Sequence, residues 1–154
     1  MKKLLLSVMI MGMSAGAAQG FQRGGAIGAI SVSPSAGNLI QRFLTAYNGQ
    51  DIAYFEKTLS SDVVILDDDG HTMTGKDRLL GLLRRRLSTN PPQKLTAADI
   101  TGADTADTAW GSFAYTFQNG DIMRKGLLSL VFKKSANDWQ IVHLHFAIDM
   151  VPSH

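Results

Sequence analysis

The sequence predicts an α+β domain in which three amino-terminal helices pack on one face of a curved, mostly antiparallel sheet. Two features carry that prediction. Apolar residues recur at helical spacing in three stretches before Pro91-Pro92, and after the prolines the texture changes to four long strand-like runs separated by turn signals. With 154 residues and 45% hydrophobic content, the chain has room for a single domain with a substantial core.

The first helix follows from "NLIQRFLTAYNGQD", which places Ile40, Phe43, Leu44 and Tyr47 on one face, with Asn38 as expected N-cap and Asn48-Gly49 as stop. Asp51 caps a second, short helix over "IAYFEKTLS". The run Val63 to Leu66 is a strand, Asp69-Gly70 a hairpin turn, and His71 to Thr74 the returning strand. A third helix is read from leucines at 79, 80, 82, 83 and 87, and the prolines end it. Strands are then expected over 94–103, 107–118, 122–134 and 138–149, divided by "GADTAD", "NGD" and "SAND".

Residues 1–20, "MKKLLLSVMIMGMSAGAAQG", join a Lys2-Lys3 start to an apolar stretch and a small-residue end, the pattern of a secretory signal peptide cleaved near residues 17–21. The apolar stretch is shorter than the roughly 20 residues that span a bilayer, so no stable membrane anchor is expected after cleavage. Residues 21–37, rich in Gly, Ser and Ala, read as a flexible leader, and 38–151 as the folded domain. The chain has no cysteine, so neither a disulfide nor a lipid-attachment thiol is available, and the expected location is the periplasm or the exterior.

Without Lys2 and Lys3 the chain carries 13 basic and 13 acidic residues. Arg84-Arg85-Arg86 is then a solvated helix end and not a nucleic-acid footprint, which needs a wider basic face with interleaved aromatics. No G-x-S-x-G, phosphate-binding loop or dinucleotide fingerprint is present, so no cofactor is expected.

The segments "FLTAYNGQDIAYF", "DVVILDDDGHTMTGKDRL" and "DWQIVHLHFA", in this order, resemble the nuclear-transport-factor-2-like superfamily. Within it they are similar to the SnoaL-like and calmodulin-dependent-kinase association-domain-like branches. The resemblance implies a cone: a strongly bent sheet around the helices, a pocket on the concave face for a small, largely apolar or neutral molecule, and a homodimer through the outer face. It covers isomerases, cyclases, dehydratases and non-catalytic assembly domains, so it fixes no reaction. It also implies that Tyr47, Tyr54, Trp110, Tyr115, Leu127 and Ser129 are pocket candidates. Many relatives carry an arginine where this chain has Leu127, which argues against an acidic ligand held in the usual manner.

The chemistry turns on "IVHLHFAID", where His143 and His145 share a strand face with Trp139, Ile141 and Ala147 in a regular strand. The resemblance implies that this histidine face is the concave one. Three readings stand. A metal site needs further ligands, and only five residues follow Asp149, so no metal is expected. Catalysis would use His143 or His145 for proton transfer, with Asp67 as a further acid-base candidate and Asp68, His71, Tyr47, Tyr115 and Ser129 as possible partners. In the third reading the histidines are a hydrogen-bonded polar strip of a binding pocket. Asp67-Asp68-Asp69 is foremost a solvated turn. Trp110 and Tyr115 fall on opposite faces of a regular strand, so one of them at most lines the pocket, unless Gly111 marks a bulge.

Overall fold

The computed structural model describes residues 31–67 and 70–148. The segment read as a signal peptide, most of the one read as a leader, and Asp68, Asp69 and Asp149 lie outside the described residues. The elements are α1 (Pro34–Asn48), α2 (Ile52–Thr58), β1 (Leu59–Leu66), β2 (Thr72–Thr74), α3 (Lys76–Leu87), β3 (Lys94–Asp104), β4 (Thr108–Asn119), β5 (Ile122–Ser135) and β6 (Asp138–Ile148). This is the expected α+β order. The start of α1 differs from expectation: Ser33, not Asn38, is the N-cap. Its hydroxyl accepts the Ala36 N–H and Pro34 occupies the first turn, where a missing N–H costs nothing. Asp51 caps α2 as expected, accepting the Tyr54 N–H at 3.0 Å.

The six strands form one sheet in the order β2-β1-β6-β5-β4-β3. Every neighbouring pair is antiparallel except β1 and β6, which run parallel with Val64, Ile65 and Leu66 opposite His143, Leu144 and His145. The sheet is curled and unclosed, and the helices fill its concave side as a cone. Leu39, Ile40, Phe43 and Tyr47 of α1, Phe55 of α2, and Leu79, Leu80, Leu83 and Leu87 of α3 are buried against Phe113, Leu128, Leu130, Phe132, Ile141 and Leu144 of the sheet. Phe43 and Phe55 meet edge to face at 5.7 Å.

Close approach of α1 to the sheet explains Gly111. A Cβ there would lie 2.2 Å from Cδ1 of Ile40, so glycine is required for contact and not for a bulge. Strand β4 pairs with β5 without interruption from Thr108 to Asn119. Trp110 and Tyr115 therefore keep opposite faces.

Register shifts occur in β3 between Ala98 and Thr101 and in β1 between Leu59 and Val64, and the one that bears on the histidines is in β6. Phe132 of β5 pairs with Ile141 while Val131 pairs with His143, so Val142 is an extra, bulged residue. An extra residue reverses the alternation of the side chains that follow. Ile141 before the bulge and Leu144 after it are both buried in the core.

Candidate functional site

The reversal at Val142 decides where the histidines go. Leu144, Phe146 and Ile148 face the helices, while His143, His145 and Ala147 face outward. His145 lies beside Ser129, which lies beside Ser112; His143 lies beside Val131, which lies beside Trp110. The histidines are thus half-exposed members of the outer sheet face. The expectation that they line the concave pocket is corrected, because it assumed a regular strand from Trp139 to Ala147. Three further candidates share their placement. Trp110 is 44% and Leu127 55% exposed, and the Ser129 and Ser112 hydroxyls hydrogen-bond at 3.0 Å on the same outer side. Tyr54 stands elsewhere again, packed on Phe55 beside the shallow α1–α2 groove that Arg42 and Asp51 also line.

Of the expected site residues, Tyr47, Tyr115 and Asp67 are brought together. They line a cavity of about 210 Å³ between the end of α1, the second half of α3 and the concave sheet face. Its apolar lining is Ile65, Leu82, Leu95, Phe117, Ile122, Phe146 and Ile148. Its other polar groups are Gln93, Asn119, Arg86 and Arg124. Sequence reasoning missed both arginines. Arg86 is one helical turn after Leu82, so the two share an α3 face, and that spacing was the available signal. Arg124 alternates with Gly126 and Leu128, the inward residues of β5.

Local structure holds the cavity's parts in place. The Asn48 side chain donates to the Leu95 carbonyl and accepts the Leu95 N–H, both at 2.8 Å, clamping the end of α1 to β3. Gln50, in the left-handed region at φ 56°, donates to the Leu87 carbonyl and ties the same corner to the end of α3. Tyr115 packs edge to face on Phe146 at 6.2 Å, and Tyr47 on Phe117 at 6.3 Å. The Arg86 guanidinium lies 6.0 Å from the centre of the Phe146 ring.

Asp67 sits at the rim, where one carboxylate oxygen accepts the His71 N–H at 2.8 Å and lies 3.8 Å from the His71 imidazole. Among the described residues, no cluster of three or more His, Cys, Asp or Glu side chains could hold a metal.

Burial pushes the Tyr47 phenol up to about 12, an effect that Arg86 opposes and Tyr115 adds to. The hydroxyl is therefore a donor, not a base, at any physiological pH. Its hydrogen bond to the Gln93 side-chain oxygen is long, at 3.5 Å, and both residues line the cavity. A pH dependence follows. The phenol ionises more readily in the unfolded chain, near 10, so its contribution is full below that pH and is lost as pH rises towards 12. Urea unfolding between pH 8 and 12 should show wild-type stability falling by up to about 1.4 kcal/mol per pH unit more steeply than that of Tyr47→Phe above pH 10. Parallel profiles would contradict this placement.

Comparison with known proteins agrees with the geometry. Residues 37–150 match the family model described as a SnoaL-like domain. Among solved structures, a nuclear-transport-factor-2-like protein of unknown function from Pseudomonas putida KT2440 is 20% identical, with a TM-score of 0.67 over 79% of this chain and 93% of that one. An uncharacterised protein with a cystatin-like fold from Caulobacter vibrioides is 18% identical, with a TM-score of 0.63 over 75% and 87%. A third, from Rhodospirillum rubrum and described as nuclear-transport-factor-2-like and of unknown function in nutrient uptake, is 17% identical, with a TM-score of 0.61 over 74% and 98%. No curated protein matches the chain in sequence. At these identities the structures share the fold, and the family match covers most of the length: the chain belongs to the SnoaL-like family.

Proposed function

We propose that this is an exported protein that binds a small, largely apolar molecule in the cavity beneath α3. The observation that carries the reading is that cavity itself. Apolar side chains of α3 and the concave sheet face line it, and Tyr47, Tyr115, Gln93 and Asn119 add a few polar groups that can orient a ligand. At about 210 Å³ it is below the roughly 300–1,000 Å³ of sites for drug-sized molecules, so the ligand is small. If the bound molecule reacts, as in an isomerase, cyclase or dehydratase, the acid-base groups at hand are Asp67 and Tyr47 and not the histidines.

Native mass spectrometry of protein purified from its own source tests both halves of the reading. The expected result is a chain beginning near residues 17–21 that carries a small molecule, released on denaturation and lost in Leu82→Trp, where the indole fills the cavity. A chain that keeps residues 1–20 overturns export. Bare protein that also binds no small apolar acid or amide in titration overturns the binding reading.

The outer sheet face supports a second reading, a homodimer. Trp110, Val131, Leu127, Ala114 and Ala147 form an uncharged patch with Ser112, Ser129 and the two histidines among them. Apolar side chains this exposed on the centre of a sheet favour burial against a second copy.

A further inference from the structure

We propose that the ligand of the α3 cavity is a small carboxylic acid with a compact apolar body, its carboxylate seated against Arg86 and Arg124. The proposal rests on the small-molecule reading above and adds the ligand's charge. It also replaces the expectation of a neutral ligand, which took Leu127 for the pocket position that many relatives fill with arginine. Leu127 faces outward, and the cavity draws its cations from two other places, the last turn of α3 and the start of β5.

Charge balance in the cavity is the first argument. Among the described residues neither Arg86 nor Arg124 forms an ion pair, although Arg84, two residues before Arg86, is held by Glu56 at 2.5 Å. Arg86 is half-buried and lies over the face of Phe146, which attracts a cation without neutralising it. A half-buried guanidinium gains most from a carboxylate that it can engage through two parallel N–H bonds. The acid that shares the lining, Asp67, is engaged at the rim by the His71 N–H. Two arginines against this one acid leave the described lining net positive.

Donors and shape agree with charge. The Tyr47 hydroxyl stays protonated and can donate to a carboxylate oxygen beside Arg86, and Asn119 adds an amide to the lining. Beside them, Leu82, Phe117 and Phe146 offer an apolar surface for a ring or a short branched chain, with Phe146 against the Arg86 guanidinium and Phe117 against the Tyr47 ring. A zwitterion or a phosphate ester fits less well, since the body of the ligand must be apolar and the volume is small.

The test uses 4-ethylbenzoate and its neutral isostere 4-ethylbenzamide as probes, titrated calorimetrically at pH 7.5 into the mature protein. The acid should bind at least tenfold more tightly than the amide. Arg86→Met should reduce that preference to within threefold while leaving amide affinity within twofold, and Arg124→Met should reduce it in part. Arg86→Lys keeps the charge without the fork and should retain an intermediate preference; it carries the test if Arg86→Met fails to give the wild-type near-ultraviolet dichroism. Equal binding of the two probes, tighter binding of the amide, or a preference untouched by both Met variants overturns the proposal and leaves the small-molecule reading standing. Binding of neither probe overturns both.

Discussion

Replacing Gly126 by alanine should cost about 2–4 kcal/mol of stability and lower the melting temperature by roughly 10 °C. Gly126 is an inward residue of β5, paired with Tyr115 on one side and Ile148 on the other. A Cβ there would lie 2.0 Å from the Ala147 carbonyl oxygen and 2.9 Å from the Tyr115 hydroxyl. Neither neighbour yields easily: the first is backbone in the adjacent strand, and the second is a ring wedged against Phe146. The strands must part locally, so the cost combines overpacking, about 1–3 kcal/mol, with about 1 kcal/mol for each ladder bond lost. Alanine also removes some freedom from the unfolded chain, a gain of about 0.4–1 kcal/mol that is too small to reverse the sign. Gly81→Ala provides the control. It lies in α3 with only the Arg85 side-chain end near a new Cβ, at 3.8 Å, so it should raise stability by up to about 1 kcal/mol. Urea unfolding of both variants decides the matter, and a Gly126→Ala change within about 0.5 kcal/mol of wild type would contradict the packing.

Leu127→Glu should convert a dimer into a monomer, raising the dissociation constant at least about 100-fold, which corresponds to roughly 3 kcal/mol. Leu127 sits near the middle of the outer face, flanked by Ala114 and Ala147. In a two-fold interface each substitution appears twice, so two carboxylates would lose water with no partner for either. The same side chain is 55% exposed in the single chain, so the fold itself should tolerate the change, and the dichroism spectrum should stay that of wild type. Sedimentation from nanomolar to 100 micromolar protein separates the possibilities. Wild type that remains monomeric throughout would end the homodimer reading, and a dimeric Leu127→Glu would move the interface elsewhere.

The fold was readable in the sequence because its punctuation is local. Asn119-Gly120-Asp121 and the Ser135-Ala136-Asn137-Asp138 run set the β4–β5 and β5–β6 hairpins, and the leucine spacing of α3 is hidden by nothing. The start of α1 was misplaced because two N-cap signals compete, and the Ser33-Pro34 pair has the stronger geometry. The site was only half readable. Helical spacing put Tyr47 on the buried face of α1, whereas alternation set Trp110 and Tyr115 on opposite faces of β4 without saying which of them points inward. The histidines were placed on the wrong side because a bulge is set by pairing with β5, and "QIVHLHF" has the same composition whether Val142 is in or out of register. The arginines were missed for a related reason: α3 looks solvated at its carboxyl end until the sheet curls over one side of its last turn.

The parallel pairing of β1 with β6 has a consequence for how the protein comes into being. Residues near 64 must find residues near 144, a closure across most of the domain, whereas β3, β4 and β5 join through short turns. The hairpin half can take shape as soon as it is made, but β1 and β2 have no sheet to join until β6 exists. The cavity, lined by Ile65 of β1 and Phe146 of the neighbouring β6, is built across that late seam. The cavity is therefore complete only when the two ends of the domain have met.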